Sequence, residues 1–494
     1  MYPIQLGASK DFAVVRDLLA RSQFTERKVA SRLGIPILTQ QTIDGAPPRP
    51  TSISDVLDLF IQLFVRNSYA PASEIEKLLT SGEIGGLERL GLLVRSNDVH
   101  ESWYSPVCLC PVGDVYTVSD AWKVPDGTLL EGADDIVYPS VVPQTRLFLD
   151  LLPQSKCGSL LDLCSGTGVA ALIAASTYAA QAYAYDIAPR SAHFAEFAKR
   201  LNGLANVATG TGDLYEPAGD LMFDRIVAHP PYVPVLDSKW IFYAGGEDGE
   251  HVTRRIIEQL AEHLRPGGTL FCLAMASDRA EQPLESRIRG WLGPSEREFD
   301  VAVVVRSVLE PEKFAFSSLA RGKNEEGQAR RWKDLFAGNR IVAFPYAMMM
   351  VQRKAAGREP FTVRRQTGPR TSRREHEWLL EWETQAASGA DGLLSMPLKT
   401  SPDCELRVLN RMGSEDWDAV AYSLATSYPF NMEMKTDPWI AYLLARCDGS
   451  KTGADLFEEL KGVHAIHADT TPADFADVLK TLVSGGFLLD SRTP

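Results

Sequence analysis

The sequence predicts an α/β protein with a doubly wound, seven-stranded sheet at its centre. Between residues 134 and 351, candidate strands alternate with amphipathic or small-residue helices, a pattern typical of parallel β-α-β units with right-handed crossovers. A glycine turn, Gly166-Thr167-Gly168, follows the first of these strands, as at the ligand-binding edge of such sheets. The predicted strands are Leu160–Leu163, Ala182–Tyr185, Val207–Thr209, Asp224–Ala228, Thr269–Ala274, Val301–Val305 and Ala343–Val351.

Length and composition indicate several domains and an intracellular setting. The chain has 494 residues, of which 45% are hydrophobic and 23% charged, as in ordinary globular proteins. The net charge of −13 argues against a polyanionic partner. The seven scattered cysteines predict neither a disulfide framework nor a zinc site. The charged N-terminus is unlike a secretory signal and no stretch is apolar enough for a membrane span, so we predict a cytoplasmic protein without a membrane partner.

Two flanking regions surround this centre. We predict three domains, with residues 1–133 and 357–494 as winged-helix-like α+β domains on either side of 134–356. In the first, Ser54 to Phe64 has helical spacing, and Ser73 with Glu76 is typical of a capping box. The last region ends in a helix–helix–strand pattern at Asp455–Leu460, Pro472–Leu482 and Gly486–Leu489. The basic stretch between Arg353 and Arg374 is predicted to be an exposed linker or insertion.

Three acidic residues at successive strand ends indicate the ligand. Asp162 lies just before the glycine turn, where it would repel a pyrophosphate and favour a cationic amino or sulfonium group. Asp186 ends the next strand and can accept both hydroxyls of a ribose. Asp213 follows the third strand, where it can accept the amino group of adenine. A dinucleotide site needs the second acid but neither of the others.

This arrangement resembles the class I S-adenosylmethionine-dependent methyltransferases, over roughly residues 138–351. The resemblance implies a Rossmann-like methyltransferase sheet and S-adenosylmethionine as the cofactor. One departure is Cys164, where the family often has glycine; we interpret it as a packed small residue. The cofactor-binding residues that the resemblance implies are Thr145, Asp162, Cys164, Gly166, Gly168, Asp186, Ile187, Asp213, Leu214 and His229.

After the fourth strand comes His229-Pro230-Pro231-Tyr232, which is similar to the (Asn/Asp)-Pro-Pro-Tyr motif of methyltransferases that act on planar nitrogens. The resemblance implies catalytic roles for His229, Pro230 and Tyr232. Neutral imidazole has one acceptor nitrogen, so His229 could accept one N–H or act as a general base. A hydroxyl or an amine is therefore a further candidate for the group that accepts the methyl. Trp240, Phe242 and Tyr243 are candidates either for lining the acceptor pocket or for core packing.

A second resemblance concerns Gly245-Gly246-Glu247-Asp248-Gly249, followed by a helix and an Arg265-Pro266-Gly267-Gly268 turn. These elements, with Tyr138-Pro139 and Pro143-Gln144-Thr145 upstream, resemble the HemK-like glutamine methyltransferases in the small-domain methyltransferase branch. The flanking regions and His229 differ from the pattern of that family, so we do not infer from the resemblance that the substrate is a release factor.

The sequence favours methyl transfer to a nitrogen of a protein or peptide. The alternatives are a small-molecule N- or O-methyltransferase with His229 as base, a nucleic-acid base methyltransferase that uses the basic stretch, and a binding role without turnover. The sequence does not decide whether the chain forms a homo-oligomer. His100, His464 and His467 do not form a metal-ligand pattern.

Overall fold

In the computed structural model, the structure describes residues 2–46, 53–121, 125, 134–236, 242–314, 326–355, 357–389, 391–413 and 416–491. The backbone forms two compact units. The first unit comprises residues 1–277 and 311–342, and the second comprises residues 278–310 and 343–494. The site residues predicted above all belong to the first unit.

The N-terminal part of the first unit combines short helices with two small sheets. Strand β3 lies between β1 and β2 in a three-stranded antiparallel sheet, and β4 pairs with β5 as a hairpin. The elements are α1 (Ser9–Arg21), α2 (Glu26–Leu33), α3 (Gln40–Asp44), α4 (Val56–Phe60, continued by a π-helical turn over Ile61–Val65), β1 (Ala70–Pro71), α5 (Ala72–Leu78), α6 (Ser81–Arg89), β2 (Val94–Arg95), β3 (Ser102–Tyr104), β4 (Val107–Val112) and β5 (Val115–Asp120).

Helix α4 with its π-helical turn confirms the helix predicted from Ser54, whereas the predicted capping box at Ser73 is wrong. Helix α5 begins at Ala72, so Ser73 lies inside it, and no side chain caps its start. The capping box belongs to the next helix instead, where Thr80 and Glu83 exchange hydrogen bonds.

Five parallel strands form the sheet of the first unit, in the order β8-β7-β6-β9-β10. The chain order reverses between β6 and β9, and in open α/β sheets such a switch point is where ligands bind. The strands are β6 (Cys157–Leu163), β7 (Ala179–Asp186), β8 (Val207–Thr211), β9 (Phe223–Ala228) and β10 (Leu264–Met275). The helices are α7 (Pro143–Leu151), α8 (Val169–Thr177), α9 (Pro189–Asn202), α10 (His251–Glu258) and α11 (Leu260–His263). The first five predicted strands are thereby confirmed.

Small residues allow the helices to approach this sheet closely. Ala171 of α8 and Ala195 and Ala198 of α9 pack in one buried cluster with Ala182 and Ala184 of β7. A larger apolar cluster joins α1 and the other N-terminal helices to α9 through Phe12 and Phe197, whose ring centroids are 5.0 Å apart. The N-terminal helices and the sheet therefore share a packed interior within the first unit.

The second unit contains the last two predicted strands and continues beyond them. Strand β12 pairs antiparallel with β13 and parallel with β14. Strand β14 pairs antiparallel with β18, and β17 lies between β18 and β16, antiparallel to both. From residue 278 onward the elements are β11 (Asp278–Arg279), α12 (Leu284–Trp291), β12 (Phe299–Leu309), α13 (Glu326–Gly338), β13 (Ile341–Arg353), β14 (Thr362–Thr367), α14 (Arg373–Ala387), α15 (Asp391–Leu394), β15 (Pro397–Thr400), β16 (Glu405–Met412), β17 (Trp417–Thr426) and β18 (Phe430–Thr436). Of these, α13 and the first two residues of β13 belong to the first unit.

Two expectations change as a result. All seven predicted strands form, but the sheet of the second unit also includes β14, β16, β17 and β18, which the sequence analysis did not predict. In β18 the alternation of apolar and polar residues was an available signal. The basic stretch is not a linker throughout, because residues 362–367 form β14 and pair with β12.

The C-terminal helix–helix–strand pattern is confirmed. Strand β15 lies between β19 and β20 in an antiparallel sheet, over a core that includes Leu398, Leu456 and Phe475. The elements are α16 (Pro438–Leu444), β19 (Asp448–Thr452), α17 (Gly453–Gly462), α18 (Pro472–Ser484) and β20 (Leu488–Asp490). Among the described residues no helix has the length and apolarity needed to cross a membrane. All seven cysteines are free thiols.

A buried ion pair in the second unit gives a test of this fold. Asp300 is completely buried in β12, and its carboxylate accepts the N–H of Phe361 at 3.0 Å and both guanidinium nitrogens of Arg358. We expect Asp300→Ala to lower the free energy of unfolding by about 3–5 kcal/mol, because Arg358 then stays buried without its counterion. Denaturant unfolding checks this, with the exposed Asp437→Ala as the control. Equal losses in the two variants would contradict the assigned role.

Candidate active site

The glycine turn joins β6 to α8 through a chain of left-handed residues. Cys164, Gly166 and Gly168 have φ values of 56°, 52° and 72°. The N–H of Gly168 donates to the carbonyl of Ser165 at 2.7 Å, and the N–H of Ser165 donates to the carbonyl of Tyr185 at 3.1 Å. This turn is therefore anchored to the end of β7. Cys164 adopts a conformation that favours glycine, which is a physical reason for glycine at this position in other proteins.

The two glycines have different roles. A Cβ on Gly168 would lie 3.0 Å from the Cβ of Ala195, so this glycine is needed for the packing of α8 against α9. A Cβ on Gly166 would meet no atom within 4 Å. Open space for a ligand thus lies at Gly166, whereas Gly168 is required for the packing of two helices. Beside the turn, the Oγ of Ser165 is buried and has no hydrogen-bond partner among the described residues.

Asp162 and Asp186 end neighbouring strands beneath this turn. Asp162 is 3% exposed and accepts the N–H of Ala171 at 3.3 Å, and burial raises its pKa well above the usual range. Asp186 accepts the N–H groups of Gly166 at 2.8 Å and Ala188 at 2.9 Å. Burial also raises the pKa of Asp186, while these hydrogen bonds oppose the shift. Asp186 therefore holds the glycine turn in place, a role that the sequence analysis missed.

Asp213 follows β8 and is held by an arginine. Its two carboxylate oxygens accept hydrogen bonds from Arg255 of α10, at 3.1 and 2.7 Å. The neighbouring Leu214 has a left-handed φ of 53° and is 7% exposed, whereas Ile187 after β7 is 52% exposed. The three predicted acids thus end three adjacent strands, and Asp213 is oriented by a residue that its own segment does not reveal.

His229 lies at the end of β9 between two aromatic rings. Its ring stacks on Phe148 of α7 with centroids 5.3 Å apart, and lies 5.6 Å from the ring of Tyr232. Its Nε2 is buried, with no hydrogen-bond partner in the described part of the chain. Burial lowers the pKa of His229 to about 4, so the ring is neutral near pH 7. The unfolded chain binds this proton below about pH 6.5 and the folded chain only near pH 4, so stability falls as the pH drops through that window.

The segment Gly245–Gly249 packs directly on the tetrad. The N–H of Gly245 donates to the carbonyl of Val233 at 2.9 Å, and the N–H of Val235 donates to the carbonyl of Gly246 at 3.0 Å. A Cβ on Gly249 would lie 2.5 Å from the carbonyl oxygen of Tyr232, and one on Gly245 would lie 2.8 Å from the Cα of Tyr232. These glycines therefore let two backbone segments touch.

Glu250, directly after this segment, is a residue that the sequence analysis missed. It is 1% exposed, and its Oε1 accepts the N–H of Ser277 at 2.6 Å and the hydroxyl of Ser277 at 2.8 Å. A charged residue adjoining a glycine motif and preceding a helix was the available signal. Glu250 ties the glycine segment to the end of β10.

The segment before α7 reaches both halves of the site. The hydroxyls of Ser140 and Thr167 are 2.7 Å apart, which links this segment to the glycine turn. Thr145 lies half-buried in the first turn of α7, one turn before Phe148. The rings of Tyr138 and Phe242 have centroids 5.1 Å apart. Tyr243 is half-buried, and Trp240 lies outside the described residues.

The basic stretch is largely neutralised by carboxylates, which weakens the nucleic-acid hypothesis. Five of its arginines form ion pairs within the second unit, namely Arg353 with Glu298, Arg358 with Asp300, Arg364 with Asp278 and Glu285, Arg365 with Glu383, and Arg370 with Asp403. In the described residues, no group of three His, Cys, Asp or Glu side chains is placed to hold a metal ion.

Comparison with known proteins finds similarity to methyltransferases in the central region of the chain. Residues 140–293 match the family model of the methyltransferase small domain. The ribosomal protein uL3 glutamine methyltransferase of Bradyrhizobium diazoefficiens is 31% identical over 165 residues, which cover 31% of this chain and 51% of the relative. The release factor glutamine methyltransferase of Thermodesulfovibrio yellowstonii is 30% identical over 174 residues, covering 32% of this chain and 60% of the relative. The release factor glutamine methyltransferase of Geobacter sulfurreducens is 31% identical over 157 residues, covering 28% of this chain and 55% of the relative.

These matches confirm the predicted resemblance to the small-domain methyltransferases and to glutamine methyltransferases. The chain spans about half to three-fifths of the length of these relatives. The matched region covers the glycine turn, the three acids, the tetrad and the segment packed on it. The flanking regions lie outside the family model.

The contact between the glycine segment and the tetrad can be tested at Gly249. We expect Gly249→Ala to destabilise the protein by more than about 1 kcal/mol, because alanine is strained at a φ of +78° and its Cβ collides with the Tyr232 carbonyl. Thermal unfolding measures this. The control is Gly82→Ala in α6, where a Cβ meets nothing within 4 Å and should leave stability unchanged or slightly raised. An unaffected Gly249→Ala variant would exclude the close contact.

Proposed function

We propose that this chain is an S-adenosylmethionine-dependent methyltransferase that methylates a side-chain amide nitrogen of a protein glutamine. The observation that carries the proposal is the pairing of β6 with β9, which brings the glycine turn and the His229 tetrad to the same edge of the sheet. The relatives named above, whose names specify glutamine methylation, support the same reaction. The neutralised basic stretch disfavours a nucleic-acid acceptor.

The residues around the glycine turn fit S-adenosylmethionine. Gly166 has open space beside it, the Oγ of Ser165 is a buried hydroxyl with no partner in the described residues, and Asp162 is a buried carboxylate suited to a cationic group. Asp186 keeps further lone pairs for the ribose hydroxyls, and Asp213 can accept the adenine amino group. The proposed cofactor-binding set is Thr145, Asp162, Cys164, Gly166, Gly168, Asp186, Ile187, Asp213, Leu214 and His229.

When bound, the cofactor supplies an electrophilic methyl group on a sulfonium. An amide nitrogen is a poor nucleophile because its lone pair is delocalised, so the chain must accept its hydrogens and hold it in line. We assign one acceptor to the Nε2 of His229 and another to the carbonyl of Pro230, with Tyr232 packed on the amide plane. On methyl transfer the amide nitrogen would lose one of its two protons to water, because the weakly basic ring of His229 would not keep it. Positioning supplies most of the rate enhancement.

The low pKa of His229 favours one of its two possible roles. A ring whose pKa is about 4 is a weak base, so it is poorly suited to deprotonate a hydroxyl or an ammonium group. It remains neutral across the physiological range and can accept a hydrogen bond throughout. This favours His229 as a substitute for the acceptor oxygen of asparagine in the related motif, rather than as the general base of a small-molecule enzyme.

For the flanks, we propose the winged-helix-like folds that the sequence predicts, with domain limits at 133 and 356. In the N-terminal part, α4, β1, α5, α6, β2 and β3 follow one another in the helix–strand–helix–helix–hairpin order of such folds. In the C-terminal part, α16, β19, α17, α18 and β20 repeat the order of helix, strand, helix, helix and strand. Two such modules would suit the recruitment of a protein acceptor.

The acceptor class can be identified with radiolabelled S-adenosylmethionine and a cell extract separated into protein, nucleic-acid and small-molecule fractions. We expect label in protein, recovered as N-methylglutamine after proteolysis and mass spectrometry.

Asp186→Ala tests the cofactor site. It should abolish labelling and raise the cofactor Kd by at least about 100-fold, because it removes two buried hydrogen bonds of the turn and the ribose acceptor. Calorimetry measures the Kd. Label in nucleic acid or small molecules would overturn the amide assignment, and an unchanged Kd would overturn the cofactor site.

His229 separates acceptor chemistry from cofactor binding. We expect His229→Ala to retain cofactor affinity within a few fold, because the other nine residues of the proposed cofactor-binding set remain. It should slow single-turnover transfer by about 10- to 100-fold, because one hydrogen bond to the amide is lost. His229→Asn should restore part of the rate by supplying an amide oxygen. The wild-type rate should show no inflection near pH 6.5 from this ring. A transfer rate unaltered in His229→Ala, or an inflection near pH 6.5 that the variant lacks, would refute the acceptor role.

A further inference from the structure

The hairpin formed by β16 and β17 carries an unusual concentration of exposed apolar side chains. All eight residues of β16 are exposed, as are the first five of β17. Six large apolar side chains in this hairpin are 40–64% exposed, and no other described segment of similar length has as many. They are Leu406, Val408, Leu409, Met412, Trp417 and Val420. Such a patch is typical of a surface that contacts another macromolecule.

Strand β16 is also open along its outer edge. In the described part of the chain, β16 pairs with β17 and with no further strand. An edge strand exposes unpaired N–H and C=O groups that can pair with another strand unless proline, a bulge or an inward charge prevents it. β16 contains no proline, and the irregularity in this hairpin places the extra residue, Val420, in β17. The edge of β16 is therefore regular and free to accept a strand.

We propose that β16 pairs antiparallel with β16 of a second copy of this chain. A two-fold axis perpendicular to the sheet keeps each side chain on its own face. Because residues directly opposite share a face, the axis must lie midway between one residue of the strand and the same residue of the second copy. The two registers that use most of β16 are centred on Val408 or on Leu409. Centring on Val408 places Glu405 opposite Arg411 of the second copy, twice. Centring on Leu409 places Arg407 opposite Arg411, and like charges directly opposite are destabilising.

The register centred on Val408 joins the two hairpins through one apolar pair, because Val408 lies opposite its own copy while Leu406 lies opposite Asn410 and Leu409 opposite Arg407. Val408 lies opposite Tyr422 of β17 and Leu406 lies opposite Leu424. Leu424 is completely buried in the apolar core of the C-terminal region, so this face of the hairpin continues that core outwards. In the proposed dimer the Val408 side chains of the two copies adjoin, and the two apolar faces meet at this pair.

Sedimentation equilibrium of the full chain and its charge variants tests this dimer. We expect the wild type to dimerise, and Arg411→Glu or Glu405→Arg each to weaken dimerisation by at least about tenfold, since both ion pairs become repulsive. The double variant Glu405→Arg/Arg411→Glu should restore the wild-type Kd. Residues six apart in one strand are about 20 Å apart, so this rescue cannot arise within a single chain.

Arg27→Glu is the matched control, because Arg27 is exposed and lies in α2 of the first unit. It should dimerise like the wild type. Circular dichroism of each variant verifies its fold. A wild type that is monomeric at its highest soluble concentration would overturn the proposal, as would folded single variants that dimerise normally or a double variant without rescue. A monomer that instead captures an added β-strand peptide would assign this edge to another protein.

Discussion

The parallel pairing of β6 with β9 is the constraint on which the proposed site depends. About 60 residues of chain separate these strands, and α8, β7, α9 and β8 form between them. Asp162 pairs with Val227 and Leu163 with Ala228, so the glycine turn and the His229 tetrad leave the sheet side by side. Because β7 lies on the other flank of β6, Asp186 reaches the same turn. Removing this adjacency would leave two unrelated loops rather than a cofactor site beside an acceptor site.

Around this adjacency lie two kinds of polar side chain. Asp186, Asp213 and Glu250 are bound by the protein itself, through backbone N–H groups, an arginine and a serine respectively. The Oγ of Ser165 and the Nε2 of His229 are buried without a partner among the described residues. A buried polar atom without a hydrogen bond costs free energy, so such atoms mark places where a ligand can supply the missing partner. The first kind fixes the geometry of the loops, and the second lies where we propose that the ligand binds.

The second unit manages charge in a different way. Five of its seven arginines between residues 353 and 374 form ion pairs with carboxylates from several elements, among them Asp300 of β12 and Glu383 of α14. This stretch is basic in sequence, but in the folded unit most of its arginines form internal ion pairs. The β16–β17 hairpin has the opposite character, because its exposed side chains are mostly apolar and its edge is unpaired. Contact with another molecule is therefore expected at the hairpin rather than along the basic stretch.

The sequence by itself determined the α/β class, all seven predicted strands, the glycine turn and the acids that end three adjacent strands. These features depend on local patterns: apolar runs, glycines at sharp turns and polar residues where strands stop. Only the tertiary structure decided that Asp186 anchors the turn, that Arg255 holds Asp213 and that Phe148 stacks on His229. It also decided that Gly168 is required by Ala195 and that the basic stretch is neutralised. Each of these contacts joins residues far apart in the chain, so no local pattern encodes it, and it exists only once the strands have paired.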